Sequence, residues 1–194
     1  MKFKPSLKQS LSIVTIAVIF LAVLLVNFHL PKENFYTQPA IVVQANINLP
    51  TRLKIPSINV DAPVEYVGLT PEGAMDVPQK PEDVAWYNLG PRPGEIGSSV
   101  IDGHSGYKDN LPAVFDNLTK LQKGDKIYVE NSKGMTITFT VREFRTYGLY
   151  DDVSSVFNSN DGESHLNLIT CSGIWNDKEK THATRLIVFT DLTL

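Results

Sequence analysis

One cysteine is the most distinctive chemical group in this chain. Residues 167–176 read NLITCSGIWN, and Cys171 is the only cysteine among the 194 residues. A lone cysteine is either a small buried hydrophobe or a nucleophile that attacks as its thiolate. A catalytic thiolate needs a nearby cation, because the free thiol ionises only near a pKa of about 8.5. The cations that can reach Cys171 therefore decide between the two interpretations.

Four histidines are candidates for that cation, and their positions separate them. His29 lies in an apolar N-terminal run. His165 precedes Cys171 on the same apolar run, and in one strand the two would be roughly 20 Å apart at about 3.3 Å per residue. His182 follows Cys171 after a loop that can fold back, so it stays an alternative. His104 stands in SSVIDGHSGY between two glycines, which leave open space beside its ring.

An arginine supplies a second cation near the predicted position of the thiol. Arg185, in THATRLIVFTDL, opens the last apolar run of the chain. An arginine at the mouth of a buried strand is usually a surface residue with a buried stem. Residues 171–185, however, are typical of a strand, a loop and a returning strand, and such a hairpin brings Arg185 level with Cys171. His104, Cys171 and Arg185 then all lie at strand ends, where a β-barrel presents functional groups.

The elements that carry these residues are short strands. Extended runs are predicted at RLKIPSI, APVEYVGL, SSVIDGH, KIYVE, MTITFTVREF, HLNLITC and RLIVFTDL. Pro56 and Pro63 interrupt the first two, which predicts barrel edges or bends there. Only LPAVFDNLTKL and DVSSVFN are typical of short helices. The pattern predicts an all-β fold, a single antiparallel or mixed barrel or sandwich.

The N-terminal segment differs from the rest. Residues 1–10 carry Lys2, Lys4 and Lys8 without an acid, and Leu11–Leu30 contains no Asp, Glu, Lys or Arg. At about 1.5 Å per residue this apolar run is long enough to cross a hydrocarbon core of roughly 30 Å. The lysines predict a cytoplasmic amino terminus and an extracellular remainder. A cleaved signal peptide is the alternative, but Asn27–Leu30 and Pro31 offer no small-residue cleavage site.

Composition excludes several other functions. The formal net charge of −3, with no basic stripe, argues against a nucleic-acid partner. One cysteine excludes an internal disulfide and a multi-cysteine zinc site, and the histidines lack metal-ligand spacing. We therefore expect no metal centre and no cofactor. The acids Asp151, Asp152, Asp161 and Glu163 are typical of a solvated face, with a weak calcium site as the alternative.

Three separated motifs resemble those of the sortases, the membrane-anchored cysteine transpeptidases of Gram-positive surfaces. Sortases have a histidine near a strand end, then TLxTC, then an arginine in the next strand. Here these match His104, NLITC with Cys171, and RLIVF with Arg185. The segment VAWYNLGPRPGEIGSSVIDGH is similar to the corresponding segment of class F and related class D or E sortases. Asn167 departs from the pattern, which has Thr there, whereas Thr170 matches.

The resemblance implies a fold, a reaction and a set of partners. It covers roughly Arg52–Leu194 and implies an eight-stranded sortase barrel with short helices. Cys171 would attack the Thr carbonyl of an LPxTG-like sorting motif, releasing Gly and forming a thioacyl-enzyme. An amine from a cell-wall precursor or a pilin lysine would then resolve it. His104 would act as acid and base, Arg185 would hold the oxyanion, and residues 147–164 would line the substrate groove.

The predicted organisation is a cytoplasmic segment 1–10, a transmembrane anchor 11–30, a stalk 31–51 and a catalytic domain 52–194. The protein is then a single-pass membrane enzyme with an extracellular domain. Two alternatives stay open at this point: an L,D-transpeptidase-like wall enzyme, and a non-catalytic, membrane-tethered β-domain that binds cell-wall components. Against the first, Cys171 follows LIT rather than the S-x-G of that class's S-x-G-C-x-R pattern.

Overall fold

The chain folds into an eight-stranded closed barrel within residues 48–106, 111–179 and 181–193, which are the residues that the computed structural model describes. The strands are β1 (Pro50–Ile55), β2 (Val60–Val67), β3 (Val84–Tyr87), β4 (Gly97–Gly103), β5 (Lys126–Asn131), β6 (Thr136–Gly148), β7 (Ser164–Asn176) and β8 (Thr181–Leu192). Their order around the barrel is β1-β2-β3-β4-β7-β8-β6-β5. The predicted all-β, eight-stranded architecture is confirmed.

Helical structure is confined to short turns in the described residues. α1 covers Ser154–Phe157, as DVSSVFN predicts, and 3₁₀ turns cover Pro56–Ile58 and Leu118–Lys120. The predicted helix at LPAVFDNLTKL is therefore reduced to one 3₁₀ turn. Its buried residues Phe115, Leu118 and Leu121 recur every third position. That spacing suits a 3₁₀ turn, which repeats every three residues, better than an α-helix.

The prediction that Pro63 marks a barrel edge is wrong. β2 pairs with β1 on one side and β3 on the other. Pro63 nevertheless lies at a position in β2 where a residue without an N–H is tolerated. Arg52↔Pro63 is an end pair of the β1–β2 ladder, and the β2–β3 ladder begins at the next residue, Val64. The missing N–H of the proline therefore breaks neither ladder in its middle.

Alternation along the strands fills the barrel interior with aliphatic and aromatic side chains. In β6, Phe139 and Val141 are buried while the threonines between them are partly exposed, as the sequence predicts. β7 contributes Leu166 and Leu168 to the same interior cluster. The intervening residues of β7, Asn167 and Ile169, therefore face the other side of the sheet.

A second apolar cluster covers that outer side. It consists of Val100, Val156, Ile187 and Phe189, with partly buried Met75, Tyr87, Tyr147, Val153, Phe157 and Ile169 packed against it. Two connections supply its cover, the β2–β3 connection and the β6–β7 connection. The first is long because β2 and β3 are parallel, and parallel neighbours need a crossover. We call the space between these connections, above β4, β7 and β8, the cleft.

A buried asparagine fixes one wall of the cleft. Asn167 Nδ2 donates to the carbonyl oxygen of Val156 in α1 over 2.6 Å. Asn167 is 1% exposed, so this bond is shielded from water. The departure from Thr at this position thus has a structural role, since the amide reaches from β7 to α1.

The predicted cytoplasmic segment, transmembrane anchor and most of the stalk lie outside the described residues. Among the residues that are described, no helix combines the length and the hydropathy needed to span a bilayer. β1 begins at Pro50, just before the predicted start of the catalytic domain.

Gly103, at the end of β4, is required by close packing, and this gives a stability prediction. A Cβ at Gly103 would lie 2.5 Å and 2.7 Å from ring carbons of Phe115 and 2.8 Å from Val114. We expect Gly103→Ala to lower the free energy of unfolding by about 1–3 kcal/mol, the usual cost of overpacking. Chemical denaturation measures it.

Gly68→Ala is the matched control, because the atom nearest to its Cβ would be 4.0 Å away. An unchanged denaturation midpoint in Gly103→Ala would show that Phe115 moves aside freely and that the packing argument is wrong.

Candidate active site

The β7–β8 hairpin places Arg185 directly opposite Cys171. The register runs Ile169↔Ile187, Thr170↔Leu186, Cys171↔Arg185 and Ser172↔Thr184. Directly paired residues of antiparallel strands point to the same face with Cβ atoms about 4.5–5.5 Å apart. The cation and the thiol therefore share one face, as the hairpin prediction requires. This is the face of the cleft, because Ile169 and Ile187 lie two residues along on the same side.

A bulge follows this pair and bends the hairpin. The register shifts between Ser172 and Trp175, so that β7 contributes one more residue than β8. Gly173 has φ of +77° there, and a Cβ on it would approach Thr184 Oγ1 to 2.7 Å. Both features favour glycine, since a bulge residue in the left-handed region is costly for other side chains.

β7 therefore continues past Cys171 to Asn176, and β8 begins at Thr181, before Arg185. The prediction that Cys171 and Arg185 lie at strand ends is wrong, because the strands extend through the bulge; His104 does follow the end of β4.

The guanidinium of Arg185 is held by its own hairpin. Nη1 donates to the carbonyl oxygens of His182 and Thr184, each over 3.0 Å, and Nη2 donates to Thr181 Oγ1 over 2.9 Å. These three bonds fix the plane of the guanidinium. A partly buried arginine with a fixed plane is unlike the mobile surface arginine that the sequence also allowed.

His104 is brought to Cys171 by the parallel pairing of β4 with β7. That ladder includes Ile101↔Leu168 and Asp102↔Ile169. Beyond it, Thr170 Oγ1 donates to the carbonyl oxygen of Gly103 over 2.7 Å. His104 directly follows Gly103 in the chain, and Cys171 directly follows Thr170. The backbone of His104, just after β4, therefore lies beside that of Cys171, within β7.

The backbone and ring of His104 are both held. Its carbonyl oxygen accepts from Phe115 N–H over 2.9 Å. Its Nε2 lies 2.8 Å from the carbonyl oxygen of Pro78, which can only accept, so Nε2 carries the proton in this contact. The side chain is partly exposed, which leaves it accessible from the cleft side of the barrel.

The other two histidines have different surroundings. His165, at the start of β7, is buried between two carboxylates: its Nδ1 lies 2.8 Å from Asp191 Oδ1 and its Nε2 lies 3.0 Å from Asp161 Oδ2. His182 lies in β8 opposite Trp175, with ring centroids 5.4 Å apart, and its Nδ1 is 3.0 Å from the carbonyl oxygen of Gly173. His165 therefore ties strand ends together, and His182 packs on the hairpin.

Asp102 is a cleft residue that the sequence interpretation missed. It lies on β4 in register with Ile169 and lines the same cavity as Arg185. Burial raises the pKa of its carboxyl to about 7, although the charge of Arg185 and a hydrogen bond from Gly103 N–H oppose the rise. An acid inside the apolar run SSVIDG was the available signal, because apolar strands rarely carry an unpaired carboxylate.

The pKa of the Cys171 thiol is raised, so this thiol is a weaker acid than an ordinary cysteine. Burial raises its pKa, the charge of Arg185 lowers it, and the charge of Asp102 raises it again. Burial is the largest of these effects, so the resting group is the protonated thiol at neutral pH.

Carboxylates of the β6–β7 connection cap backbone groups. Asp151 accepts from Gly148 N–H and Asp152 from Ser154 N–H. Asp161 accepts from Glu163 N–H, Ser159 and His165, which lowers its pKa to about 2. Within the described ranges, no three His, Cys, Asp or Glu side chains form a group that could hold a metal ion.

Comparison with known proteins identifies the family. A model of the Sortase domain matches residues 53–193. No curated protein matches the chain. The solved structures to which it is similar include sortase C-1 from Actinomyces oris, at 26% identity and a TM-score of 0.58, covering 74% of this chain and 73% of that one.

Two further structures show the same fold at lower identity. Sortase C1 from Streptococcus agalactiae, in complex with MTSET, is 24% identical, with a TM-score of 0.58 and coverage of 74% and 67%. A sortase D5 transpeptidase from Clostridium perfringens is 23% identical, with a TM-score of 0.56 and coverage of 75% and 79%. These neighbours belong to different classes, so the predicted relation to classes F, D or E stays a prediction. With the Sortase model matched across the whole described barrel, the chain belongs to the sortase family of cysteine transpeptidases.

Proposed function

We propose that this protein cleaves an LPxTG-like sorting motif between Thr and Gly and joins the Thr carbonyl to an amine. The observation that carries the proposal is the direct pairing of Cys171 with Arg185 on the face of the cleft. Because the chain belongs to the sortase family, the L,D-transpeptidase alternative is excluded. The non-catalytic alternative predicts that an alkylating reagent scarcely labels Cys171 in the native protein, whereas a catalytic Cys171 is labelled.

The first half-reaction breaks the Thr–Gly bond. Cys171 passes its proton to His104 and, as thiolate, forms a bond from Sγ to the Thr carbonyl carbon. The resulting tetrahedral oxyanion collapses to a thioester as the C–N bond to Gly breaks. The leaving amine takes a proton from His104, which is the general acid. Arg185 donates to the oxyanion, where fixed donors stabilise charge that develops only in the transition state.

The second half-reaction transfers the acyl group. An amine of a cell-wall precursor or a pilin lysine attacks the thioester carbon, His104 accepts its proton, and Cys171 leaves as thiolate. This two-step covalent route needs no oxidant or reductant. Both substrates must approach the cleft on the outer face of the barrel, where His104 follows the end of β4 and Cys171 lies within β7.

The raised pKa of Cys171 makes the neighbouring cations necessary. An ordinary cysteine is only a few per cent thiolate at pH 7, and a raised pKa reduces that fraction further. The thiolate therefore forms with substrate bound, where His104 and Arg185 balance its charge.

The function as a whole is tested with a library of sorting-motif peptides, incubated with purified protein and a glycine-based amine. Three observations together support the proposal: cleavage between Thr and Gly, an increase in the mass of the enzyme by that of the acyl group, and later a peptide product with the mass of the amide. A library in which no peptide is cleaved contradicts it.

We predict that Cys171→Ala abolishes cleavage and transfer and that His104→Ala reduces both by at least about a hundredfold, since acid–base catalysis contributes 10²–10⁴. His182→Ala and His165→Ala keep activity, because these rings contact the hairpin and the carboxylates instead. Initial rates of peptide cleavage measure this. An essential His182 with a dispensable His104 would show that the acid is misassigned.

Arg185→Lys separates charge from directed hydrogen bonding. Lysine keeps the positive charge but cannot reproduce the planar fork that Arg185 presents. We expect kcat/KM to fall at least about a hundredfold, the usual loss for one transition-state donor. Alkylation of Cys171 by iodoacetamide slows only modestly, because the charge that opposes the rise in its pKa is retained.

Arg185→Gln is the matched control for Arg185→Lys. Because it removes the charge as well as the directed hydrogen bonds, we expect it to slow both peptide cleavage and alkylation of Cys171. A fully active Arg185→Lys enzyme would remove Arg185 from the catalytic group.

We further propose that residues 11–30 anchor the enzyme, with residues 1–10 cytoplasmic and the barrel outside the cell. The uncharged run and the flanking lysines support this. Protease added to intact cells should remove the barrel and leave a membrane-bound N-terminal fragment. A barrel found in the medium of untreated cells would instead indicate signal-peptide cleavage.

A further inference from the structure

A carboxyl on the floor of an otherwise apolar cavity is the starting observation. The cavity has a volume of about 220 Å³ and is lined by Asp102 and Arg185 together with apolar residues of both cleft walls, including Met75, Val156, Phe157, Ile169 and Ile187. Asp102 is partly exposed, so a ligand in the cavity can reach it. An acid there carries a desolvation cost that an apolar residue would avoid.

Asp102 is not used to hold Arg185. The hydrogen bonds of the guanidinium go to His182, Thr184 and Thr181 on its own hairpin. None of the ion pairs among the described residues joins Arg185 to Asp102, although the two charges influence each other. The carboxyl accepts from Gly103 N–H, and a carboxylate has capacity for further donors.

The cavity is large enough for one side chain. A dry cavity of about 150 Å³ holds a benzene molecule, and this one is larger and open to the cleft. It lies along β7 from Cys171, on the same face. A peptide whose Thr carbonyl lies at Cys171 Sγ, extended along the cleft, therefore passes over it.

We propose that Asp102 is a specificity-determining residue, selecting a motif side chain that has an apolar stem and a neutral hydrogen-bond donor at its tip. The inference rests on the proposed function and names its substrate more closely. The stem packs on Ile169, Ile187 and Phe157, and the tip donates to Asp102. Gln, Asn, Thr and Ser have such a tip, whereas Leu does not.

Charge gives no net advantage to the ionised side chains. A Lys or Arg tip would be attracted by Asp102 but repelled by Arg185, and an Asp or Glu tip would be attracted by Arg185 but repelled by Asp102, because both residues line the cavity. A neutral donor can engage Asp102 without opposing Arg185. A leucine would cover the carboxyl without giving it a donor. Sites built to hydrogen-bond a substrate discriminate strongly against analogues that lack the group.

The experiment compares paired peptides on the full-length enzyme. Each of the three positions before the motif Thr is occupied in turn by Gln or Leu, and kcat/KM is measured at pH 8. We expect one position at which Gln is preferred at least about tenfold in the wild type. In Asp102→Ala that preference is lost or reversed toward Leu. Glu82→Gln, which removes an exposed carboxylate outside this cavity, keeps the wild-type ratio.

A second experiment measures the Gln/Leu ratio of kcat/KM at two pH values in the wild type and in the nearly isosteric variant Asp102→Asn. Below a pKa of about 7 the wild-type carboxyl is protonated, so its Gln/Leu ratio should fall between pH 8 and pH 6. The Asn variant keeps an acceptor oxygen but does not titrate, so its smaller ratio should be the same at both values. Arg185, Cys171 and, from the adjoining cavity wall, Asp151 also face this region, but their effects cancel in a ratio taken on one enzyme.

Three results would overturn the inference. Cleavage with Leu preferred at every position, or a Gln preference that survives in Asp102→Ala, contradicts the assignment while leaving the proposed function intact. A Gln/Leu ratio that changes with pH equally in the wild type and Asp102→Asn shows that another group sets it. If no peptide forms an acyl-enzyme, the proposed function fails, and this inference fails with it.

Discussion

The site depends on the parallel pairing of β4 with β7. These strands are far apart in sequence, and their ladder is the only element that brings the His104 end of one to the Cys171 end of the other in the described barrel. The buried bond from Thr170 Oγ1 to Gly103 O extends the ladder by one residue beyond Asp102↔Ile169. Leaving that carbonyl without a donor would cost about 1–3 kcal/mol. The register of histidine and cysteine is thus enforced by an interaction next to them, on their own strands.

The strand order also explains why the cleft exists. β2 and β3 are parallel neighbours, and β6 and β7 are separated by β8, so neither pair can be joined by a tight turn and both are joined by longer connections. The β2–β3 connection supplies Ala74, Met75 and Val77 to the cleft, and the β6–β7 connection supplies Val153, Val156 and Phe157. An antiparallel barrel of the same strands would have short hairpins and no walls. The binding space is a consequence of topology, and Asn167 then fixes one wall to the sheet.

The sequence predicted most of this architecture, and the failures have physical causes. Alternation and apolar runs identify β5 to β8, and the three motifs identify residues that the strand pairing brings to neighbouring positions. The sequence could not show that Pro63 lies between two ladders, because register is a tertiary property. Nor could it show that Phe115, Leu118 and Leu121, three residues apart, are the buried side chains of this segment, since burial is also a tertiary property.

Asp102 was missed for a related reason. In sequence it is one polar residue before a glycine, at a place where a turn would explain it. Only the face assignment of β4 shows that its side chain is on the cleft side with Ile169, Ile187 and Arg185. The sequence signal, an acid within an apolar run, becomes meaningful once the neighbouring strand is known to be β7.

The electrostatics of the cleft follow from its small set of charges. Burial weakens Cys171 as an acid, Arg185 opposes this, and Asp102 adds to it. A thiol that is mostly protonated at rest is protected from oxidation and alkylation, since the thiolate is the reactive species. Under the recognition proposed for Asp102, a substrate donor that engages this carboxyl would withdraw part of its negative potential from the thiol. Because the same carboxyl raises the pKa of Cys171, motif recognition and ionisation of the nucleophile would then be linked through Asp102.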